Sequence, residues 1–246
     1  MDNVLYLSMS AARELMQAQA VHSNNLANAS TGGFKADFAQ ARAMQVYGDG
    51  YAGRVYAATE NPATDLSPGS LDQTGRNLDI AIDGKGWLAV MRADGTEAYT
   101  RYGSLQVDPG GMLRTSKGDV VMGDGGPIAL PPFETVLIGG DGTVTVQPVG
   151  QAPNNLVQID RLKLVAPEPD ALVKAADGLF ERKDGLAEPP DATVSVVSGM
   201  VENSNVNVVN EMTEILAIAR EFEIQLRMMQ TAEQNDEAAS ELLRSS

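Results

Sequence analysis

Two acidic residues, Asp79 and Asp83, are the side chains whose type and spacing come closest to an enzymatic arrangement. They are four positions apart on a predicted strand, so they would share one face of it, although they flank a turn. Two carboxylates could act as the acid and base of a glycoside hydrolase if the fold set the distance between them. A structural role is the favoured interpretation, and an exported β-rich hydrolase stays open as an alternative.

Composition limits the other kinds of catalytic and metal-binding chemistry. The chain has no cysteine, which removes disulfides, thiolate metal ligands and thiol nucleophiles. Its one histidine, His22, precedes Ser23, but adjacent residues of a helix do not face each other, so the two do not form a catalytic pair. We expect His22 on a helix surface or at an interface. We expect no catalytic residue, bound metal or cofactor.

Asp-Gly pairs recur in the chain and could be taken for calcium ligands. No window has the spaced oxygen ligands and closing glutamate of an EF-hand loop. The glycine-rich segment 123–126 lacks the lysine and the helix of a phosphate loop, because Pro127 and Pro131 follow it. Asp-Gly between apolar or alternating runs is typical of tight hairpin turns. The pairs therefore predict turns at residues 49–50, 83–84, 94–95, 124–125, 141–142, 177–178 and 184–185.

The predicted turns indicate β structure in the middle of the chain, and the two ends of the chain differ from the middle in composition. Residues 1–30 and 200–246 contain neither glycine nor proline, whereas the middle holds all 24 glycines and 12 prolines. Many short runs between turns indicate an antiparallel sheet or a small barrel. The predicted strands cover residues 78–82, 87–91, 120–122, 136–138, 143–147, 156–165 and 193–197. The polar stretch 48–76 is expected to be an extended connection.

The C-terminal segment has the heptad repeat of an amphipathic helix. Seven residues recur at alternating steps of four and three and would form one narrow apolar stripe. They are Val208, Met212, Ile215, Ala219, Phe222, Leu226 and Met229. Asn207 is a predicted N-cap, and Glu211 lies in the first turn, where the helix dipole favours an acidic residue.

The N-terminal segment is predicted to be a helix with a weaker apolar stripe. Leu5, Ala12, Leu15 and Leu26 lie on a 3.5-residue period that polar residues interrupt. Single helices with such stripes are not stable in water. We therefore expect the terminal helices to pair as a coiled-coil-like module whose surplus apolar surface meets other chains. The predicted fold class is α+β, with a mainly antiparallel β domain inserted between the helices.

The net charge argues against two classes of partner. With 18 basic and 33 acidic residues, the 246-residue chain has a formal net charge of −15. Nucleic acids and anionic lipid surfaces attract positive charge, so neither is expected to bind. No apolar run approaches the roughly 20 residues that a spanning helix needs. Asp2 and the short apolar run 4–7 are unlike a secretory signal, so we expect a cytoplasmic chain or export with the N-terminus retained.

Three segments resemble signature motifs of the bacterial flagellar rod and hook family. Residues 23–35, SNNLANASTGGFK, resemble the family's Asn-Asn-Leu-Ala-Asn motif followed by Ser/Thr, Gly, Phe and Lys. Residues 78–87, LDIAIDGKGW, continued by YTRYGS at 99–104, resemble a central motif. Residues 202–207, ENSNVN, followed by Glu-Met at 211–212, resemble a C-terminal motif. The three occur in family order, which makes the resemblance specific.

The resemblance implies an axial structural protein of the flagellar basal body rod, which spans the periplasm, and no enzyme. Terminal helices of neighbouring subunits would assemble into a helical tube that transmits torque, with the β domain outside. Residues 219–225 and 231–236 resemble the proximal rod members of the family. A distal rod or hook-type subunit is the alternative. The implied partners are further copies, FlgG on the distal side, FlgB, FlgC and FliE on the proximal side, and the flagellar type III export apparatus.

The resemblance also implies an interface formed by the motif and the two stripes. Three asparagines within five positions favour a role beyond ending a helix, because asparagine is a poor helix former that binds local backbone. Residues 30–33 are expected to end the helix, and Phe34 to anchor the chain to the middle domain. The expected interface residues are Leu5, Leu15, Asn24, Asn25, Leu26, Asn28, Phe34, Val208, Met212, Ile215, Ala219, Phe222, Leu226 and Met229.

The expected domain organisation has four parts. The N-terminal helix and motif take residues 1–35, and an extended connection takes 36–77. The β-rich middle domain takes residues 78–199, and the C-terminal amphipathic helix takes 200–246.

Overall fold

In sequence order, one long helix comes first, a series of short strands follows, and a second long helix comes last. A computed structural model describes residues 2–38, 41–45, 55–59, 63–151 and 155–244. The helices are α1 (Asp2–Ala27) and α2 (Val208–Arg244), and they contact each other. The inserted β domain is mainly antiparallel. The predicted α+β class, with paired terminal helices around a β insertion, is confirmed.

The strands are short because turns interrupt the chain frequently. A 3₁₀ turn at Pro169–Ala171 lies among them. The strands are β1 (Ala41–Gln45), β2 (Val55–Thr59), β3 (Leu71–Gln73), β4 (Ile80–Asp83), β5 (Trp87–Met91), β6 (Glu97–Thr100), β7 (Leu105–Val107), β8 (Leu113–Thr115), β9 (Val120–Gly123), β10 (Gly126–Pro127), β11 (Phe133–Ile138), β12 (Thr143–Pro148), β13 (Val157–Arg161), β14 (Leu164–Val165), β15 (Leu172–Lys174), β16 (Phe180–Arg182), β17 (Ser195–Ser198) and β18 (Met200–Glu202).

The chain forms two compact units. The helical unit contains Met1–Ala29, Ala36–Asp65 and Val206–Ser246, and the β unit contains Ser30–Lys35 and Leu66–Asn205. The end of the first motif thus belongs to the β unit, although the motif begins on α1.

The helical unit combines α1 and α2 with the antiparallel hairpin of β1 and β2. The predicted N-cap of α2 is confirmed, because Oδ1 of Asn207 accepts hydrogen bonds from the backbone N–H groups of Val209 and Asn210, at 3.0 and 3.2 Å. At the C-terminal end of α1, the N–H and the Nδ2 of Asn28 both donate to the carbonyl oxygen of Asn24. α1 therefore ends before residues 30–33, which were expected to end it.

The β unit is built around one large antiparallel sheet. Its strands follow the order β15-β16-β6-β5-β9-β8-β7, with β10 on β9 and β14 on β5. Strands β11, β12 and β13 form a second sheet. Two further pairs join the start of the unit to its end, since β17 pairs with β4 and β18 pairs with β3.

Several Asp-Gly pairs make the tight turns that were predicted. The pair 94–95 lies between β5 and β6, 141–142 between β11 and β12, and 177–178 between β15 and β16. In all three the glycine has a positive φ, a conformation that a side chain disfavours. The pair 49–50 lies outside the described residues.

The core of the β unit lies between its sheets and draws on most of the predicted strands. Each predicted strand overlaps an observed one, and the run 156–165 divides into β13 and β14. The large fully buried aliphatic side chains include Ile80, Leu88, Leu105, Leu113, Ile128, Leu162 and Leu164. Trp87 packs against Phe180, with ring centroids 4.5 Å apart, in a second cluster. Trp87 is therefore a core anchor, as is common for a large aromatic side chain.

Candidate assembly interface and a buried ionic cluster

The two helices meet at one end through a polar contact around Glu211. Its carboxylate lies 2.6 Å from Nδ1 of His22 and accepts a hydrogen bond of 3.2 Å from Nδ2 of Asn25. Glu211 is in the first turn of α2, whereas His22 and Asn25 are near the end of α1. The helices therefore run antiparallel, and His22 lies at a helix interface.

Asn25 also ties α1 to the segment that follows it. Its Nδ2 donates to the carbonyl oxygen of Asp37 at 2.9 Å, and its Oδ1 accepts from the N–H of Asp37 at 3.0 Å. The side chain is buried, and this site uses both the donor and the acceptor of an amide. Of the three motif asparagines, Asn25 joins separate segments, Asn28 closes the end of α1, and Asn24 is exposed.

α2 turns one of two neighbouring apolar stripes towards α1. Residues three and four positions apart share a helix face, and Ile215, Ile218, Phe222 and Met229 follow Glu211 at such steps. Ile218 is 8% exposed, whereas the predicted stripe ran through Ala219 instead. The stripe that packs is therefore displaced by one position from the predicted one over part of its length.

A second apolar stripe on each helix stays exposed in the isolated chain. On α2 these side chains are 44–69% exposed, and on α1 they are 38–60% exposed. Exposed apolar surface of this kind, next to a polar face, is typical of an interaction site. The residues are Val208, Val209, Met212, Leu216 and Leu226 on α2, and Leu5, Met9 and Met16 on α1.

The residues expected at a subunit interface occupy three kinds of position. The exposed ones are Leu5, Asn24, Val208, Met212 and Leu226. The half-buried ones are Leu15, Leu26, Asn28, Phe34, Ile215, Ala219, Phe222 and Met229. Asn25 is buried. All belong to the helical unit except Phe34, which is part of the β unit.

Residues 30–35 enter the β unit through a close backbone approach at Gly33. Its φ is +67°, its N–H donates to the carbonyl oxygen of Glu202 at 2.8 Å, and a Cβ there would lie 2.5 Å from the backbone nitrogen of Tyr102. Nζ of Lys174 lies 3.9 Å from the ring centroid of Phe34. Glycine is therefore required at position 33, and the ring after it has a cationic neighbour.

A buried ionic cluster of Lys35, Arg101 and Glu202 lies beside this entry. Nζ of Lys35 donates to Oε1 of Glu202 at 2.6 Å, and Nη1 of Arg101 donates to Oε2 at 3.0 Å. The three residues are 0, 5 and 1% exposed. Because these three charged groups are buried, water does not screen them and they interact strongly with one another.

Backbone groups provide further partners for the ionic cluster. Lys35 also donates to the carbonyl oxygen of Ser67 at 2.7 Å, and Arg101 donates to that of Gly84 at 2.7 Å. The N–H of Gly69 donates to Oε1 of Glu202 at 3.0 Å. Each charged group thus has more than one partner, as buried charges require.

The ionic cluster unites the three sequence motifs. Lys35 ends the first motif, Arg101 lies in the second, and Glu202 begins the third. Sequence reasoning did not find the cluster, since nothing local in a pattern shows that residues 167 positions apart touch. The available signal was a charged residue in each motif, Lys35 in the first, Arg101 in the second and Glu202 in the third.

Buried and partly buried polar groups elsewhere in the β unit support the sheet. Burial raises the pKa of Tyr99 to about 12, and its hydroxyl donates to Glu97 at 3.0 Å and accepts from the N–H of Glu188 at 2.8 Å. Glu97 also pairs with Lys163 at 2.8 Å. The side chain of Lys117 is exposed, and its Nζ lies 4.8 Å from the ring centroid of Tyr102. These contacts fix strands and loops.

The two carboxylates that could have formed an acid–base pair have different surroundings. Asp79 is buried, and Asp83 is exposed at the end of β4. Among the described residues, no cluster of histidines and carboxylates has the geometry to hold a metal ion, and no helix is long and apolar enough to cross a membrane.

Comparison with known proteins identifies the family. Family models for the flagellar basal body rod protein, the FlgE/F/G D1 domain and the FlgEFG C-terminal domain match residues 5–35, 81–146 and 197–242. The basal-body rod proteins FlgF of Salmonella typhimurium and Escherichia coli are each 40% identical to the chain over 99% of both lengths. The chain belongs to the FlgF family of flagellar basal-body rod proteins. FlgF of Caulobacter vibrioides, at 32% identity over 99% of this chain and 98% of its own, is a more distant relative.

Membership of the FlgF family confirms the resemblance seen in the three motifs. Each of the three matched regions contributes one charge to the ionic cluster, namely Lys35, Arg101 and Glu202. The family consists of structural proteins of the basal body and not of enzymes, so the hydrolase alternative based on Asp79 and Asp83 is disfavoured.

Proposed function

We propose that this chain is a structural subunit of the flagellar basal-body rod, in the proximal part of the drive shaft. Its terminal helices join those of neighbouring subunits, and the resulting tube transmits torque. The observation that supports this most directly is the second apolar stripe, which stays exposed although α1 and α2 already pack on each other. A contact that repeats without closing on itself suits a filament.

The proximal position is supported by the relatives named FlgF. These reach 40% identity, whereas FlgG of Bacillus subtilis is 31% identical over 97% of both chains. A distal rod or hook-type subunit would use the same helical contacts at another place along the axis. Chemical crosslinking in purified basal bodies, with a reactive group placed on the β unit, distinguishes the positions by the neighbours that it captures.

The proposed neighbours follow from that position. They are further copies of the chain, FlgG on the distal side, and FlgB, FlgC and FliE on the proximal side. The flagellar type III export apparatus would deliver the chain unfolded to the growing rod. The helices carry the contacts, and the interface would centre on the exposed stripe together with the predicted residues that flank it.

A charge placed in the exposed stripe tests the proposal. Leu216 is 58% exposed, so Leu216→Asp should leave the monomer folded and abolish incorporation into the rod, because a buried unpaired charge is costly at an interface. Ala217→Asp is the matched control, since Ala217 is exposed on the same turn but outside the stripe. Circular dichroism checks folding, and motility and the content of purified basal bodies check assembly. Normal incorporation of the Leu216 variant would contradict the proposal.

A further inference from the structure

A groove opens at the end of the helix pair that lies away from Glu211. It has a volume of about 560 Å³ and lies between the first turns of α1 and the C-terminal half of α2. Its lining residues include Leu5, Leu226, Met229, Glu233, Asp236 and Glu237. All of them belong to the helical unit, so the groove is a feature of that unit alone.

The groove has an apolar floor. Leu5 is 38% exposed, Leu226 is 44% exposed, and Met229 is half-buried beside them. Leu226 and Met229 are three positions apart on α2. Together with Leu5 of α1 they present a continuous apolar surface. A floor of this shape accepts an apolar side chain of a third helix, as a knob enters a hole in a coiled coil.

The groove also has an acidic rim. Glu233, Asp236 and Glu237 are three and four positions apart, so their carboxylates share one helix face. No lysine or arginine is among the groove's described lining residues. Like charges at this spacing destabilise a helix, and cations from a partner would relieve the repulsion.

We infer that the groove takes a basic amphipathic helix of a different protein, one that places an apolar side chain on the floor and lysine or arginine against the rim. This inference rests on the proposed function and specifies the chemistry of one neighbour. Charge complementarity supports this inference. The apolar floor alone would accept any apolar helix, whereas the acidic rim selects a helix with basic residues.

The same charges argue against a second copy of this chain in the groove. α2 has eight acidic and three basic residues, and α1 has two acidic and one basic. Neither helix offers a basic face to the rim. Contacts between copies therefore use the part of the exposed stripe outside the groove, and the groove faces a chain of different composition.

The test measures peptide binding to the full chain. The probe is a fluorescent 21-residue helical peptide with leucine at heptad positions a and d and lysine or arginine at e and g; the matched peptide has glutamate at e and g. We expect only the basic peptide to bind, and to bind more weakly as salt rises. The variant Glu233→Gln/Asp236→Asn/Glu237→Gln should weaken binding about tenfold, since it removes three exposed ion pairs, each of which contributes modestly.

Two controls separate groove binding from general attraction. The variant Glu214→Gln/Glu221→Gln/Glu223→Gln removes the same charge from α2 outside the groove and should change binding less than about twofold. Leu226→Ser should weaken binding without changing the charge. Circular dichroism verifies that every variant keeps its helix content.

Four outcomes would overturn the inference. They are binding of the acidic peptide, equal loss in the two charge variants, self-association that the rim variant abolishes, and normal incorporation of the rim variant into purified basal bodies. This last result would leave the proposed function intact, because the chain would still be a rod subunit. Absence of the wild-type chain from purified basal bodies would instead remove the proposed function itself.

Discussion

Glu202→Gln keeps the shape of the side chain and removes the only negative charge of the ionic cluster. Lys35 and Arg101 then remain buried, at 0 and 5% exposure, and have lost the carboxylate that they share. Breaking a buried ion pair by removing one partner costs about 3–5 kcal/mol. In a chain of this size, each kcal/mol of lost unfolding free energy lowers the melting temperature by about 2–4 °C. The melting temperature should therefore fall by roughly 6–20 °C.

The balance of charge in the ionic cluster gives a sharper form of this prediction. Lys35→Met should cost less than Glu202→Gln, because Arg101 and Glu202 remain as a neutral pair whose Oε1 still accepts from Gly69. The double variant Lys35→Met/Glu202→Gln should be more stable than Glu202→Gln alone, since it also removes one of the two buried cations that pair with Glu202. A simple loss of contacts would give the opposite order.

Thermal unfolding followed by circular dichroism measures these differences. The fluorescence of Trp87 gives a local readout, since the Arg101 guanidinium lies 5.5 Å from its ring centroid. Glu97→Gln is the matched control, because its pair with Lys163 is 13–15% exposed and should contribute about 1 kcal/mol or less. A melting temperature for Glu202→Gln within about 2 °C of the wild type, or a double variant less stable than Glu202→Gln alone, would refute the reasoning.

Three further predictions concern single positions. Gly33→Ala should lower the melting temperature more than Gly95→Ala, because both have positive φ but a Cβ meets a backbone nitrogen at 2.5 Å only in the first. Burial raises the pKa of Tyr99 to about 12, so the folded chain keeps this proton above pH 10 and should lose stability as pH rises towards 12; Tyr99→Phe should flatten that slope in pH-dependent denaturation. Ile218→Asp should destabilise the helical unit by about 3 kcal/mol in chemical denaturation, whereas Leu216→Asp should change it by less than about 0.5 kcal/mol.

The features that sequence reasoning predicted correctly are those that depend on neighbouring residues. The N-cap at Asn207 and the turns at three Asp-Gly pairs are set by groups within four positions of one another. The two helices follow from long stretches without glycine or proline. Interactions of this kind involve residues that are close in sequence, so they can be recognised from a single sequence.

The packed stripe of α2 and the ionic cluster depend on distant parts of the chain. α2 has apolar residues over much of its circumference, so periodicity alone does not show whether Ile218 or Ala219 faces α1. The predicted end of α1, at residues 30–33, lies beyond its last helical residue, Ala27. Gly33 serves instead the close approach to Tyr102, a residue far away in sequence.

The pairing of β17 with β4 and of β18 with β3 has a consequence for how the chain reaches its final structure. These ladders join residues more than 100 positions apart, and the ionic cluster needs Glu202 as well. A chain delivered from its N-terminus therefore lacks the closing strands of the β unit until residue 202 is free. High contact order of this kind delays folding, so the β unit stays unfolded until nearly all of the chain has emerged.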